Sequence, residues 1–397
     1  MTGSNRGPTR RAFLQSGVAV GSLVPAGCVT PLSGPSDPDE FDLETVVDGL
    51  SQPWGLAFLP DDARLLVTEL EGRLTVVDRE GGSSAAVDGV PTVHDAGQGG
   101  LLDVAVHPEF PDEPWIYLTY AASNDDGEST THLGRGELDR EEGVLEEFEV
   151  LYVAEPFVDS DGHYGSRVVF DDDGTLYATV GDRQLDDFGP DHVSQDPTND
   201  LGTTLRLEAD GSVPEDNPFD DDAEAGDAIF SYGHRNAQGM TVHPETGEIW
   251  QSEHGEQDGD EINVLEAGGN YGWPIAGYDC EYGTADPIGD EPHEREDVVD
   301  PVYYWECTSG GFPPAGATFY DGDAFPDWRG DLFVGNLAGQ YLGRFNVDGG
   351  DVEELDPLLA DRGWRVRDVA AAPDTGALYV AVDADDAPVV RLVPPAD

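Results

Sequence analysis

Asp173-Gly174-Thr175-Leu176-Tyr177-Ala178-Thr179-Val180-Gly181-Asp182 is the stretch that decides the fold. An Asp-Gly turn leads into a short run of strand-favouring residues that alternates across two faces. The run stops on a small residue and an acid. The same unit recurs on either side. Upstream it appears as Pro60-Asp61-Asp62-Ala63-Arg64-Leu65-Leu66-Val67-Thr68-Glu69 and around Pro114-Trp115-Ile116-Tyr117-Leu118-Thr119-Tyr120. Downstream it returns as Thr246-Gly247-Glu248-Ile249-Trp250-Gln251-Ser252-Glu253, Arg329-Gly330-Asp331-Leu332-Phe333-Val334-Gly335-Asn336 and Thr375-Gly376-Ala377-Leu378-Tyr379-Val380-Ala381-Val382-Asp383. Each copy carries a Leu-Leu or an Ile/Leu-aromatic step at its centre. Periods of about 40–50 residues mark propeller blades. Spacing is near that at both ends and wider in the middle, which predicts long loops inserted on one face. Six copies predict an all-β, six-bladed β-propeller, whereas a β-sandwich would not need six similar units. No transmembrane run or long helical pattern follows residue 42. A propeller's site usually lies at the mouth of its central channel, so the long middle loops are where chemistry is expected.

Composition supports one large domain. The chain has 397 residues, 38% of them apolar, with 50 Gly and 29 Pro to serve many short strands and tight turns. It carries 83 Asp+Glu against 19 Lys+Arg, a formal net charge of -64. Such a field repels nucleic acid and anionic membrane surfaces, so neither is an expected partner. The acids are spread between aromatic and alternating apolar residues rather than gathered in a tail. A folded protein with an acidic surface is therefore expected, as in extreme halophiles, where salt screens self-repulsion.

The N-terminus reads as an address. Thr9-Arg10-Arg11-Ala12-Phe13-Leu14 resembles a twin-arginine export signal, and Val18 to Val24 follow as an apolar stretch too short to span a bilayer. Pro25-Ala26-Gly27-Cys28 resembles a lipobox, with Pro25 where leucine is usual. Residues 1–28 are thus expected to be an export signal ending at a lipidated Cys28. Residues 29–41 are expected to be a flexible linker and 42–397 the propeller, held at the outer face of the cell membrane. Of the three cysteines, Cys280 and Cys307 then remain. An oxidising setting favours a bridge between them; two separate buried thiols are the alternative.

Four segments carry residues suited to chemistry. His163 lies in Asp161-Gly162-His163-Tyr164-Gly165-Ser166-Arg167, before the third unit, and Asp182 closes that unit. Asp182 is placed to accept the other ring N–H and to orient the imidazole as a base. Ser231-Tyr232-Gly233-His234-Arg235-Asn236-Ala237-Gln238-Gly239-Met240 gathers Arg, Asn and Gln in one turn. That suits an acidic ligand, or equally a structural tie between acidic loops. Glu253-His254-Gly255-Glu256-Gln257-Asp258-Gly259-Asp260-Glu261-Ile262-Asn263 is rich in oxygen, as Ca²⁺ requires, without EF-hand spacing. Asn270-Tyr271-Gly272-Trp273-Pro274 follows with an aromatic pair. In Arg362-Gly363-Trp364-Arg365-Val366-Arg367-Asp368, the alternation aims Arg365 and Arg367 to one face. A positive pair inside a channel needs an anionic partner.

Taken in order, these motifs together with Gln98-Gly99-Gly100-Leu101-Leu102-Asp103 resemble the soluble aldose sugar dehydrogenases that use pyrroloquinoline quinone (PQQ), the glucose/sorbosone dehydrogenase family. The resemblance runs from about Thr45 to Val393 and implies a six-bladed propeller. It implies that His163 takes the proton of the sugar C1 hydroxyl while hydride passes to PQQ and the aldose leaves as a lactone. Asp182 occupies the place of the orienting carboxylate. Ca²⁺ would be held by the backbone carbonyls of Gly255 and Glu256. Gln98, Arg235, Asn236, Gln238, Arg365 and Arg367 match positions that hold PQQ, and Arg235 belongs with His163 and Asp182 in the catalytic set. Electrons would pass to an external acceptor. The chain departs from the family at Glu256, where proline is frequent, and at Ala338, where a lysine pairs with a PQQ carboxylate. The aromatic clamp over the quinone is not matched in the Cys307–Thr318 segment, which leaves Tyr164 or Phe312 to substitute. Two other readings compete: a Ca²⁺-dependent lactonase, which would have no use for Arg235, Arg365 and Arg367, and a non-catalytic binding propeller.

Overall fold

The computed structural model describes residues 40–396, apart from 61, 186 and 221–224. The export signal, Cys28 and nearly all of the expected linker lie outside the described residues. Among the described residues, 24 strands form six four-stranded antiparallel sheets. The first strands of the six sheets are Pro53–Phe58, Leu101–Val106, Val168–Phe170, Ala237–Val242, Pro314–Phe319 and Val366–Ala371. Each packs against the next, and the last against the first, so they form a closed ring around a channel. Five blades take four consecutive strands. The sixth takes Val366–Ala371, Leu378–Val382 and Ala387–Val393, and is completed by the N-terminal strand Asp42–Leu50. There Asp42 pairs with Val393 and Leu50 with Ala387. Phe41, at the end of the expected linker, already packs edge-on to Trp328.

The six repeat units are the second strands of the six blades. Leu176–Val180, Ile249–Glu253, Leu332–Asn336 and Leu378–Val382 are buried at every position, because neighbouring blades cover both faces. The core therefore lies between blades. Trp250 and Ile262 of the fourth blade meet Phe319, Val334 and Phe345 of the fifth. Phe333 and Leu342 of the fifth meet Val369, Leu378 and Val390 of the sixth. Each such side chain is worth about 1.5–3 kcal/mol when fully buried.

The wide middle spacing has a different origin from the one expected. Residues 181–202 do extend the channel-mouth face after the second strand of the third blade. Residues 208–228, between its third and fourth strands, leave from the opposite end. The longest insertion, 265–302, also starts at that end. It then climbs along the third blade, where Tyr232 bridges Asn270, and reaches the mouth at Trp273.

Two features shape the channel. Five of the six inner strands carry a β-bulge near their first residues, at Pro53/Leu56, Leu101/Val104, Ala237/Gly239, Pro314/Ala317 and Val366/Asp368. A bulge bends the strand and re-aims its side chains. Below the mouth, Arg167 crosses the channel. Its Nη1 lies 3.0 Å from Asp103 and 3.1 Å from Asp368, and its guanidinium sits 4.4 Å from the Trp54 ring centroid. Asp103 also accepts the Val168 N–H at 2.9 Å and Asp368 the Leu56 N–H at 2.8 Å, so the cluster ties four blades together. Burial pushes the Asp103 carboxyl up to about 7 and raises Asp368 as well. No helix among the described residues is long and apolar enough to cross a membrane.

Candidate active site at the channel mouth

His163 sits on the connection entering the third blade, with its backbone at a φ of 44°. Close packing holds that turn. A Cβ on Gly181 would lie 2.2 Å from the His163 carbonyl oxygen, so only glycine fits there. The His163 N–H donates to Gln98 Oε1 at 3.0 Å, and its Nδ1 lies 2.7 Å from Asp182 Oδ1. Asp182 Oδ1 also accepts the Gln184 N–H at 2.8 Å, and its Oδ2 accepts the Trp273 indole N–H at 2.8 Å. Burial pushes the Asp182 carboxyl up, but the charge and hydrogen bond of His163, with Arg235, hold it below the usual carboxylate range. An ionised acceptor on Nδ1 makes that nitrogen the donor and leaves the lone pair on Nε2. The expected contact between His163 and Asp182 is therefore present.

Sequence reasoning missed what lies under this turn. Arg183 is fully buried and donates to the carbonyls of Gly162 at 2.9 Å and Ser129 at 2.7 Å. It stacks 3.6 Å from the Tyr164 ring. It is a cation used on backbone carbonyls, and no spacing in the sequence announces it. Tyr164 is thereby committed to Arg183 and Ser129, and Phe312 is buried against Trp305. Neither reaches the cavity, which corrects the expectation that one of them forms an aromatic clamp. The aromatic side chain on the cavity wall is Trp54.

The cavity has a volume of about 340 Å³, within the range of about 300–1,000 Å³ usual for small-molecule pockets. His163, Gln98, Asn236, Gln238, Arg365, Arg367 and Ala338 all line it, as do His254 and Asp383. Gln238 and Arg367 are bulge residues, and the bulges turn them toward each other: Arg367 Nη1 donates to Gln238 Oε1 at 2.9 Å. The anionic partner required by the channel arginines is Asp383, whose Oδ2 accepts from Arg365 at 2.9 Å and Arg367 at 3.0 Å. One carboxylate between two guanidiniums leaves a net positive charge at that wall. Ala338 stands in a chain that has no lysine at all, its 19 basic residues all being arginine. His254 donates Nε2–H to the Pro314 carbonyl at 2.6 Å. Burial, with Arg235 and His163 nearby, pushes its pKa down to about 3, so it is neutral.

Arg235 lies beside this cavity and opens on a smaller one that it shares with Glu253, Trp273 and Asp279. Its N–H donates to Glu253 at 2.8 Å, and its carbonyl accepts the Asp182 N–H at 2.8 Å. Its guanidinium is 5.2 Å from the Trp273 ring and bonds the Glu256 carboxylate. Gly255 and Glu256 anchor their N–H groups on Asp260 at 3.2 Å and Asp279 at 3.0 Å. Their carbonyls accept no hydrogen bond among the described residues. These two oxygens suit Ca²⁺ in kind but supply two of the six to eight it takes. No cluster of three or more His, Cys, Asp or Glu side chains fit for a metal occurs among the described residues. Cys280 and Cys307 form a disulfide, which pins the 265–302 insertion that carries Trp273.

Comparison with known proteins finds relatives along most of the chain. Residues 50–391 match the family model described as glucose / sorbosone dehydrogenase. The chain is 36% identical to aldose sugar dehydrogenase YliI of Escherichia coli, over 94% of this chain and 98% of that protein. It is 30% identical to quinoprotein glucose dehydrogenase B of Acinetobacter calcoaceticus, over 87% and 86% of the two chains. The PQQ-bound form of an aldose sugar dehydrogenase from Streptomyces coelicolor superimposes with a TM-score of 0.71 at 26% identity, covering 89% of this chain and 99% of that one. With a six-bladed fold, a buried His163–Asp182 pair at the channel mouth and a match spanning most of its length, this chain belongs to the glucose/sorbosone dehydrogenase family.

Proposed function

We propose that the chain oxidises aldoses at C1 to lactones, using PQQ with Ca²⁺ and passing electrons to an external acceptor. The observation that carries this reading is the His163–Asp182 pair on the wall of a cavity whose other walls hold Arg365, Arg367 and the amides of Gln98, Asn236 and Gln238. Those donors suit a flat molecule bearing carboxylates. Ca²⁺ would rest on the Gly255 and Glu256 carbonyls, with its remaining oxygens from cofactor and water. Bound PQQ supplies the two-electron acceptor, and the metal polarises it.

The protein's share is proton chemistry and positioning. His163 Nε2 takes the proton of the C1 hydroxyl as the C1–O bond gains double-bond character and hydride departs from C1. Asp182 stabilises the imidazolium that forms and keeps Nδ1 as its donor. Trp273 holds the carboxylate, and Arg183 and Gln98 hold the turn beneath the ring.

Reconstitution tests this. Apo-protein in molar KCl, given PQQ and CaCl₂, should reduce a redox dye when aldoses are added. His163→Ala should bind PQQ yet lose about 10²–10⁴ in kcat. Failure of the wild type to bind PQQ would overturn the reading, and full activity in His163→Ala would remove the base assignment. We further propose display at the outer membrane face through a lipid on Cys28. Cys28→Ser should then release the protein into the medium, and retention would refute the anchor.

A further inference from the structure

Two imidazoles line the same cavity, and they are backed differently. His163 gives its Nδ1–H to the Asp182 carboxylate, which can stabilise the charge formed when Nε2 takes a proton. His254 gives its Nε2–H to the Pro314 carbonyl, which has no charge to offer. The lone pair of the His254 ring is therefore left on Nδ1. That nitrogen has no partner among the described residues and is not sealed away, so a ligand can reach it. The rest of the wall is rich in donors. Gln98 Oε1 takes the His163 N–H, Asn236 Oδ1 the Gly165 N–H at 3.1 Å and Gln238 Oε1 an Arg367 N–H, so each amide is left with its NH₂ to offer. Asp383 spends one oxygen on both Arg365 and Arg367.

We infer that His254 Nδ1 accepts a hydrogen bond from an aldose hydroxyl other than the one at C1, which makes His254 a specificity-determining residue. This rests on the proposed function. Carboxylates and quinone carbonyls are acceptors: they suit the donors of the wall and are repelled by a lone pair, whereas a sugar hydroxyl can donate to one. His254 also directly precedes Gly255 and Glu256, whose carbonyls are proposed to hold the Ca²⁺ that polarises the quinone. Its position thus fits the side of the cavity where C1 would react. The sugar is held between two lone pairs, one that takes a proton and one that only accepts a hydrogen bond. A site built around a hydroxyl rejects the analogue that lacks it, because the site's own polar group is left unpaired.

The test is a discrimination ratio measured in molar KCl with PQQ and CaCl₂. It compares kcat/KM for an aldose that the wild type oxidises with kcat/KM for each of its singly deoxygenated analogues. Wild type should favour the parent sugar about ten-fold over one analogue. His254→Leu, which has no lone pair, should lose that preference, the parent sugar falling to the level of the analogue. His254→Gln, which keeps an acceptor, should retain part of it. A ratio taken within one variant cancels any loss of folded or loaded protein, so misfolding cannot imitate the result. Quenching of tryptophan emission by PQQ should give the same Kd for all three proteins. Equal wild-type rates on every analogue, an undiminished preference in His254→Leu, or a loss of PQQ affinity in place of the sugar preference would each overturn the inference and leave the proposed function standing. Oxidation of no aldose by the wild type would overturn both.

Discussion

The indole N–H of Trp273 donates to Asp182 Oδ2 at 2.8 Å, the oxygen that His163 leaves free. The two residues are 91 positions apart, on different blades. The orientation of His163 is thus set jointly by the strand end that carries Asp182 and by the insertion that carries Trp273. Phe188 packs edge-on to the indole at 5.4 Å and supports it from the solvent side.

Trp273→Phe keeps an aromatic six-membered ring but deletes the N–H together with the five-membered ring that bears it. A hydrogen bond to a charged group is worth about 1.5–3 kcal/mol, so kcat should fall roughly ten- to hundred-fold while KM for the aldose changes little. Steady-state kinetics on reconstituted enzyme measure this. An unchanged kcat would make Trp273 a packing residue alone.

Asp103 and Asp368 give a pH dependence of stability. Burial pushes Asp103 up to about 7 and raises Asp368, whereas an unfolded Asp titrates near about 3.9. Between about pH 4 and 7 the folded chain holds protons that the unfolded chain has released, so this cluster makes stability fall as pH rises through that window and level off above it. Asp103→Asn should flatten the decline. Denaturant midpoints at pH 5 and pH 8, at fixed salt, decide; a wild-type slope in the variant would place the titration elsewhere.

The Cys280–Cys307 bridge closes a separation of 27 residues. Chain-entropy reasoning assigns such a loop about 3.5 kcal/mol. The double variant Cys280→Ser, Cys307→Ser should lose roughly that much by chemical denaturation. A midpoint equal to that of the oxidised wild type would show that packing alone holds the insertion.

The formal charge of -64 predicts salt dependence. The screening length shrinks from about 30 Å at 0.01 M to about 3 Å at 1 M salt. The melting temperature should rise steeply from dilute buffer to molar KCl. Superimposable melting curves in the two conditions would remove the halophilic reading.

The parts of the molecule legible in the sequence were those governed by simple alternation. The second strands, buried on both faces, repeat one apolar pattern, and counting them yields the blades. The His163–Asp182 pair was legible because each lies beside such a strand. The inner strands were not, since their bulges break the two-residue period at the residues that line the cavity, Gln238 and Arg367 among them. Arg183, and the bond from Trp273 to Asp182, were hidden for another reason. Each acts across a turn or a blade boundary, and Asp383, the counterion of two arginines, looked like one more surface acid at a strand end.

The closing seam has a consequence for synthesis. Five blades are assembled from strands adjacent in sequence, and each has all its partners once its own stretch has been made. The strand Asp42–Leu50 does not: its partner begins at Ala387, near the other end of the chain. While the more than 300 residues between the two strands are made, the first strand is an unpaired edge, open to pairing with the wrong neighbour. Completion of the ring must wait until the Ala387–Val393 strand has been made. A truncation that removes Ala387–Val393 should then leave five formed blades and an open circle, rather than a smaller propeller.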